Sequence, residues 1–165
     1  MAEAQTDIRG VMISVTGGRL LLPNATVSEV ITYAEPEPVS NAPAWLLGRV
    51  RWHGWRLPLL SFSRMVGYAE EEGELGAKVA VLKSLGNNPR VPYFALLTQG
   101  FPRLTTVNAD DLLARERGAE GESEVPLHPA IHSEVSLRDA DAVIPDLENI
   151  EAAIGEALAH ENEAA

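Results

Sequence analysis

The chain has 165 residues, with 24 acidic against 13 basic side chains and a formal net charge of −11. That length suits one domain, or two intimate half-domains, and lets roughly two thirds of the unfolded surface be buried. The acidic balance argues against nucleic acid and anionic membrane surfaces, both of which select clustered Lys and Arg. No cysteine is present, so disulfides and thiolate chemistry are excluded and a reducing compartment is permitted. The start MAEAQTDIRG is acidic and poor in apolar residues, unlike a signal peptide, and no apolar run approaches the ~18–20 residues of a membrane-crossing helix. A cytoplasmic protein without direct membrane insertion is expected.

Residues 1–7 are expected to form a flexible tail. Two strands follow, 8–15 and 19–22, joined at Thr16-Gly17-Gly18, because glycine accepts the positive φ of tight hairpin turns. Pro23 ends the second. Asn24 or Thr26 then caps a short helix: Glu29 stands three residues after Thr26 as in a capping box, and Val27, Val30 and Ile31 fall on one helical face. Glu35-Pro36-Glu37-Pro38 is an extended polar crossing, biased away from helix by its prolines. Two strands, 45–52 and 55–60, meet at His53-Gly54. Gly48 inside the first suggests a bulge or close backbone approach, and Pro58 inside the second suggests an edge or a bulge. The acidic stretch 68–77 is a solvated loop rather than a cation site, since its acids lack ordered spacing.

The second half repeats this grammar. Strands are expected at 78–85 and 91–99 around the turn Gly86-Asn87-Asn88-Pro89, and again at 104–107. Asn108 caps a brief helix through Leu113, with Asp110 and Asp111 in its first turn. A polar loop at 115–125 leads to strands at 131–137 and 142–144, the latter closed by Pro145. From Asp146 the period changes, and Leu147, Ile150, Ile154 and Leu158 recur at helical spacing. One amphipathic helix therefore closes an all-β fold, leaving an acidic tail at 159–165.

Catalytic constellations are weak. There is no Gly-x-Ser-x-Gly elbow, no phosphate-binding loop and no Cys nucleophile. His128 and His132 stand four apart near Glu134, a spacing that would bring two imidazoles together only on a helix, and Pro129 argues against one. Asp110 with Asp111, and Asp139 with Asp141, suit a helix start and a turn better than acid–base work. Neither a metal nor a cofactor is expected, and the protein is not expected to be an enzyme.

The segment from Leu20 to Gly67 orders an apolar run ending in Leu-Pro, Val-Ser-Glu-Val, a proline-rich crossing, Asn-Ala-Pro, an apolar run to a Gly, then X-Gly and a Pro-containing strand. This order resembles the CheW-like family of chemotaxis coupling proteins. The resemblance continues more weakly through 79–113 and returns in AVIPDLENI at 142–150, covering roughly residues 8–158 as one CheW-like domain. It implies two small five-stranded SH3-like barrels packed side by side. It also implies a non-enzymatic adaptor joining chemoreceptor cytoplasmic tips to the regulatory domain of a CheA-type histidine autokinase, recruited to membrane receptor arrays. The family's receptor-binding groove maps onto Val27, Glu29, Val30, Gly48, His53 and Gly54. For the two valines the rival role is core packing, and for the two glycines it is turn geometry alone.

This chain departs from the family pattern at several positions. His53 stands where Arg is usual, exchanging a permanent forked cation for a group that changes charge near neutrality. Ser61-Phe62 stands where the family carries Asp-Leu, and Ala95 and Gln99 replace a Gly and an acid. The tryptophans of Ala-Trp-Leu-Leu-Gly and Trp-His-Gly-Trp look more similar to accessory couplers of type IV pilus chemosensory clusters, which control twitching motility. Two other classes stay open. A small enzyme would need buried titratable groups converging in a cleft, and an oligonucleotide-binding barrel would need a positive stripe, for which Arg49, Arg51, Arg56 and Arg64 near Trp52 and Trp55 are the source.

Overall fold

A computed structural model describes residues 8–70, 73, 76–85, 91–108, 112–114, 128–137 and 140–163. The expected tail at 1–7, most of the acidic run, the turn at 86–89 and the polar loop at 115–125 lie outside the described residues.

The first hairpin pairs β1 (Ile8–Val15) with β2 (Gly18–Pro23) in antiparallel register, turning through Gly17 at φ +88°. After a single 3-10 turn at Asn24–Thr26, the chain enters β3 (Val27–Thr32), where a short helix was expected. The physical reason is a β-bulge. Val27 pairs with Leu82 and Glu29 with Val81, so Ser28 is one residue extra on its strand. That insertion puts Val27 and Val30 on the same face of a strand at a separation of three, which imitates helical spacing. The β-branched Val27, Val30, Ile31 and Thr32 suit a strand better than a helix.

The second hairpin, β4 (Leu46–Trp52) and β5 (Trp55–Leu60), turns at His53 and Gly54, with φ of +46° and +81°. Two successive positive φ values are the signature of a type I′ turn. A register shift between Leu46 and Gly48 marks the expected bulge. Pro58 is tolerated although β5 is an interior strand, because pairing to the neighbouring strand involves only Leu59 and Leu60, just beyond it. A five-residue helix, α1 (Phe62–Val66), follows, absent from the sequence reading. Ser61 caps it by accepting the Arg64 N–H at 3.2 Å, and Gly67 ends it in the left-handed region at φ +85°.

Strands β6 (Lys78–Lys83), β7 (Tyr93–Thr98), β8 (Arg103–Val107), β10 (Ile131–Leu137) and β11 (Ala140–Pro145) fall where the pattern placed them. Between them Leu112–Ala114 forms β9, paired with β10, rather than the end of a helix. One helical hydrogen bond survives there, from the Leu112 N–H to the Asn108 carbonyl at 3.2 Å. The closing helix, α2 (Leu147–Glu163), is capped by Asp146, which accepts the Asn149 N–H at 3.0 Å. It runs on through Glu163, so most of the expected acidic tail belongs to it.

Two sheets result, one in the order β8-β1-β2-β11-β10-β9 and one in the order β3-β6-β7-β5-β4. The middle of the chain builds the five-stranded sheet, while both ends build the six-stranded one. Three apolar layers follow from strand alternation. Val79, Val81, Ala95, Leu97, Leu57 and Leu59 fill the interior of the five-stranded module. Leu21, Val107, Val135, Leu137 and Ala142 fill the other. Opposite faces of the same strands meet between the modules, where Ile13, Leu20 and Leu22 pack with Leu60, Leu82, Phe94, Ile150 and Ile154.

Candidate functional site

Strands β3 and β4 are the two ends of the five-stranded sheet, and the expected site residues lie along the line where these ends approach. Glu29 projects from β3 as an exposed side chain, and its Oε1 accepts from the Trp52 indole N–H at 3.2 Å and from His53 Nε2 at 3.2 Å. A carboxylate can only accept, so the His53 proton sits on Nε2 in this contact. These two donors hold the Glu29 carboxyl below the usual carboxylate range, the His53 contact contributing most and the Trp52 contact next. Three side chains from opposite ends of the sheet thus meet at one oxygen.

The turn geometry explains why His53 can reach. A left-handed φ at a non-glycine residue is uncommon, and it places the imidazole edge-on to the Trp52 ring, with centroids 4.8 Å apart. Trp52 in turn meets Tyr93 edge-on at 4.9 Å, and Trp55, still 49% exposed, lies 6.2 Å from the same ring. Arg51, Trp52, His53, Gly54, Trp55 and Arg56 line a shallow open cleft around this hairpin tip. The aromatic cluster was not among the expected site residues. Its signal in the sequence was the Trp-His-Gly-Trp turn, which places two tryptophans directly across the hairpin.

A second junction joins the sheet ends further along. The proline-rich crossing lies against β4, with Glu37 and Arg49 exchanging backbone hydrogen bonds of 2.9 and 2.8 Å. The Glu37 carboxylate pairs with Arg56 and, at 3.5 Å, with Arg51. The Arg56 hydrogen bond is the main cause of its lowered pKa, followed by the Arg56 charge. Arg64 donates to the Ala44 carbonyl at 3.2 Å. The arginines near the tryptophans therefore serve internal contacts rather than forming a free positive stripe.

The six expected site residues divide. Glu29, His53 and Gly54 come together at the exposed tip, where a Cβ on Gly54 would meet nothing within 4 Å. Val30 is half-buried on the edge strand nearby. Val27 is also half-buried but packs against the core between the modules. Gly48 is buried at φ +145°, and a Cβ there would lie 2.3 Å from the Glu37 carbonyl oxygen. Its hydrogen is what lets the crossing lie on β4.

Nothing among the described residues gathers three metal-ligating side chains. His132 is on a strand, beside the Ser133 hydroxyl at 2.6 Å, and His128 Nδ1 accepts the Ala130 N–H at 3.0 Å. Asp141 is exposed on β11, while Asp110, Asp111 and Asp139 lie outside the described residues. No described helix is long and apolar enough to cross a membrane.

Two β-modules with a closing helix and an aromatic hairpin tip define a mostly β domain. The family model for the CheW-like domain matches residues 9–151, and the chain belongs to that family. Among solved structures, it is similar to the scaffolding protein TtCheW from Thermoanaerobacter tengcongensis, with a TM-score of 0.69 at 12% identity over 89% of this chain and 90% of that one. At that identity the likeness is one of fold. No curated protein matches the sequence.

Proposed function

We propose that this protein is a non-enzymatic adaptor of a chemotaxis-type pathway, coupling the cytoplasmic tip of a chemoreceptor to a CheA-type histidine autokinase. It works in the cytoplasm and joins membrane-associated receptor arrays through its partners. The observation that carries the reading is the meeting of Glu29, Trp52 and His53 at the exposed edge of a CheW-like fold. Family membership supplies the class of partner, and the junction supplies a defined surface. Docking centres on Val30, Glu29, His53 and Gly54, with Trp55 as an exposed aromatic anchor of the kind that dominates protein interfaces. Val27 and Gly48 support that surface from beneath.

The tryptophans at 45, 52 and 55 favour the pilus-associated branch of the family, in which the coupled output is twitching rather than swimming. Calorimetric titration with a receptor-tip fragment and with a kinase regulatory domain tests the adaptor reading. Micromolar or tighter binding to either supports it. Absence of binding to both, with a folded protein, overturns it. Gene deletion in the source organism, scored for twitching and swimming separately, tests the branch.

A further inference from the structure

Helix α2 crosses both modules. Ile150 and Ile154 enter the layer between them, while Ala157 and Leu158 pack further along on Val39, Trp45 and Leu46 of the five-stranded module. Amid these apolar contacts stands Glu151, 1% exposed. Its Oε2 accepts the Leu85 N–H at 2.8 Å, just beyond β6, and its Oε1 is buried with no partner. The residue next to Leu85 supplies a second unpartnered buried atom, the Ser84 hydroxyl oxygen. Buried orphaned oxygens are costly, and an ionised Glu151 would leave Oε1 with neither a donor nor a counter-charge.

We propose that α2 is a pH-responsive strap whose latch is Glu151: buried as the neutral acid it stays docked, and loss of its proton to solvent loosens the helix. Burial, the largest cause, pushes the Glu151 carboxyl above its ordinary value of 4.5, the Leu85 N–H opposes it, and the Glu148 charge one turn away raises it further. Glu148, on α2 itself, is the charged group acting on it among the described residues; Lys83 ends β6 with its side chain exposed. Arg90 lies outside the described residues. A raised folded-state pKa means the folded state binds the proton more tightly. The associated stability is therefore full below 4.5 and is lost as pH rises through the folded value.

The test is hydrogen exchange by mass spectrometry on the full chain from about pH 5 to about pH 8, corrected for intrinsic rates. In the wild type, peptides within 147–159 should lose protection by about tenfold or more relative to β6 and β7 as pH rises. Glu151→Gln should flatten that slope. A Glu151→Gln variant that keeps the wild-type slope overturns the proposal. So does a slope of opposite sign. Should the variant fail to fold, carbon-detected NMR titration of the wild-type Glu151 carboxyl decides: a midpoint above 4.5 supports the latch, and one at or below it overturns it.

Discussion

Glu29 and His53, 24 residues apart in sequence, are joined at 3.2 Å across the two ends of one sheet. In an open five-stranded sheet these ends are edges, and unpaired edges invite unwanted pairing. The contact, with the Trp52 indole on the same oxygen, ties them together by side chains. His53 is thus already engaged with this chain's own carboxylate.

The first prediction follows from that engagement. Glu29 has a lowered folded-state pKa, so its contact is complete above 4.5 and is lost as pH falls through the folded value. Glu29→Gln should remove that acid-side contribution from the melting curve. His53→Arg should hold Glu29 by a permanent bidentate pair. It should also change affinity for a receptor-tip fragment, since a forked cation replaces an imidazole at the hairpin tip. Identical affinities for wild type and His53→Arg would place His53 outside the docking surface.

Val27 and Val30 separate folding from docking. Val27 is half-buried and packs on the core between the modules, so Val27→Asp should cost ~2–4 kcal/mol in urea denaturation through an unpaired charge set against apolar neighbours. Val30→Asp should leave the melt nearly unchanged and weaken receptor binding by ~1–3 kcal/mol. Equal effects of the two changes on stability would show that both are core.

Gly48→Ala combines a strained φ with a Cβ 2.3 Å from the Glu37 carbonyl oxygen. Loss of ~3 kcal/mol or more is expected, since the clash is with backbone that cannot swing aside. Denaturant midpoints check it, and a change below ~1 kcal/mol would show that the crossing lifts off β4 freely.

Trp55 is half exposed and packs loosely on Tyr93. Trp55→Ala should change stability by less than ~1 kcal/mol yet weaken binding of a receptor or kinase fragment by ~1–3 kcal/mol. Calorimetry alongside thermal melts reads both. Unaltered affinity for both partners would remove the hairpin tip from the proposed interface.

Much of the architecture was legible locally. Gly-Gly and His-Gly turns between apolar runs located both early hairpins, and the 3.6-residue period after Asp146 located α2, because these signals are set by backbone φ and by side-chain periodicity within a few residues. The helix expected around Val27 failed for a reason no local pattern carries: its bulge exists only in register with β6. Likewise Leu112 and Leu113 belong to a strand because β10 is there to pair with them. In α1 the cues were present, with Ser61 as cap and Gly67 as stop, but one turn of helix offers too little periodicity to stand out.

For the site, sequence alone determined which residues carry polar or aromatic chemistry and where the chain must turn. Tertiary structure decided what they do. Glu29 and His53 could each have faced a partner; closing the sheet turned them toward one another. Gly48 could have lined a groove, and the proline crossing made it a packing point instead. Glu151 stands within the apolar stripe, four residues after Leu147, and the docking of α2 across both modules buried it against the end of β6. Turns and periods are properties of neighbouring residues, whereas burial and charge pairing arise between segments that only folding brings together.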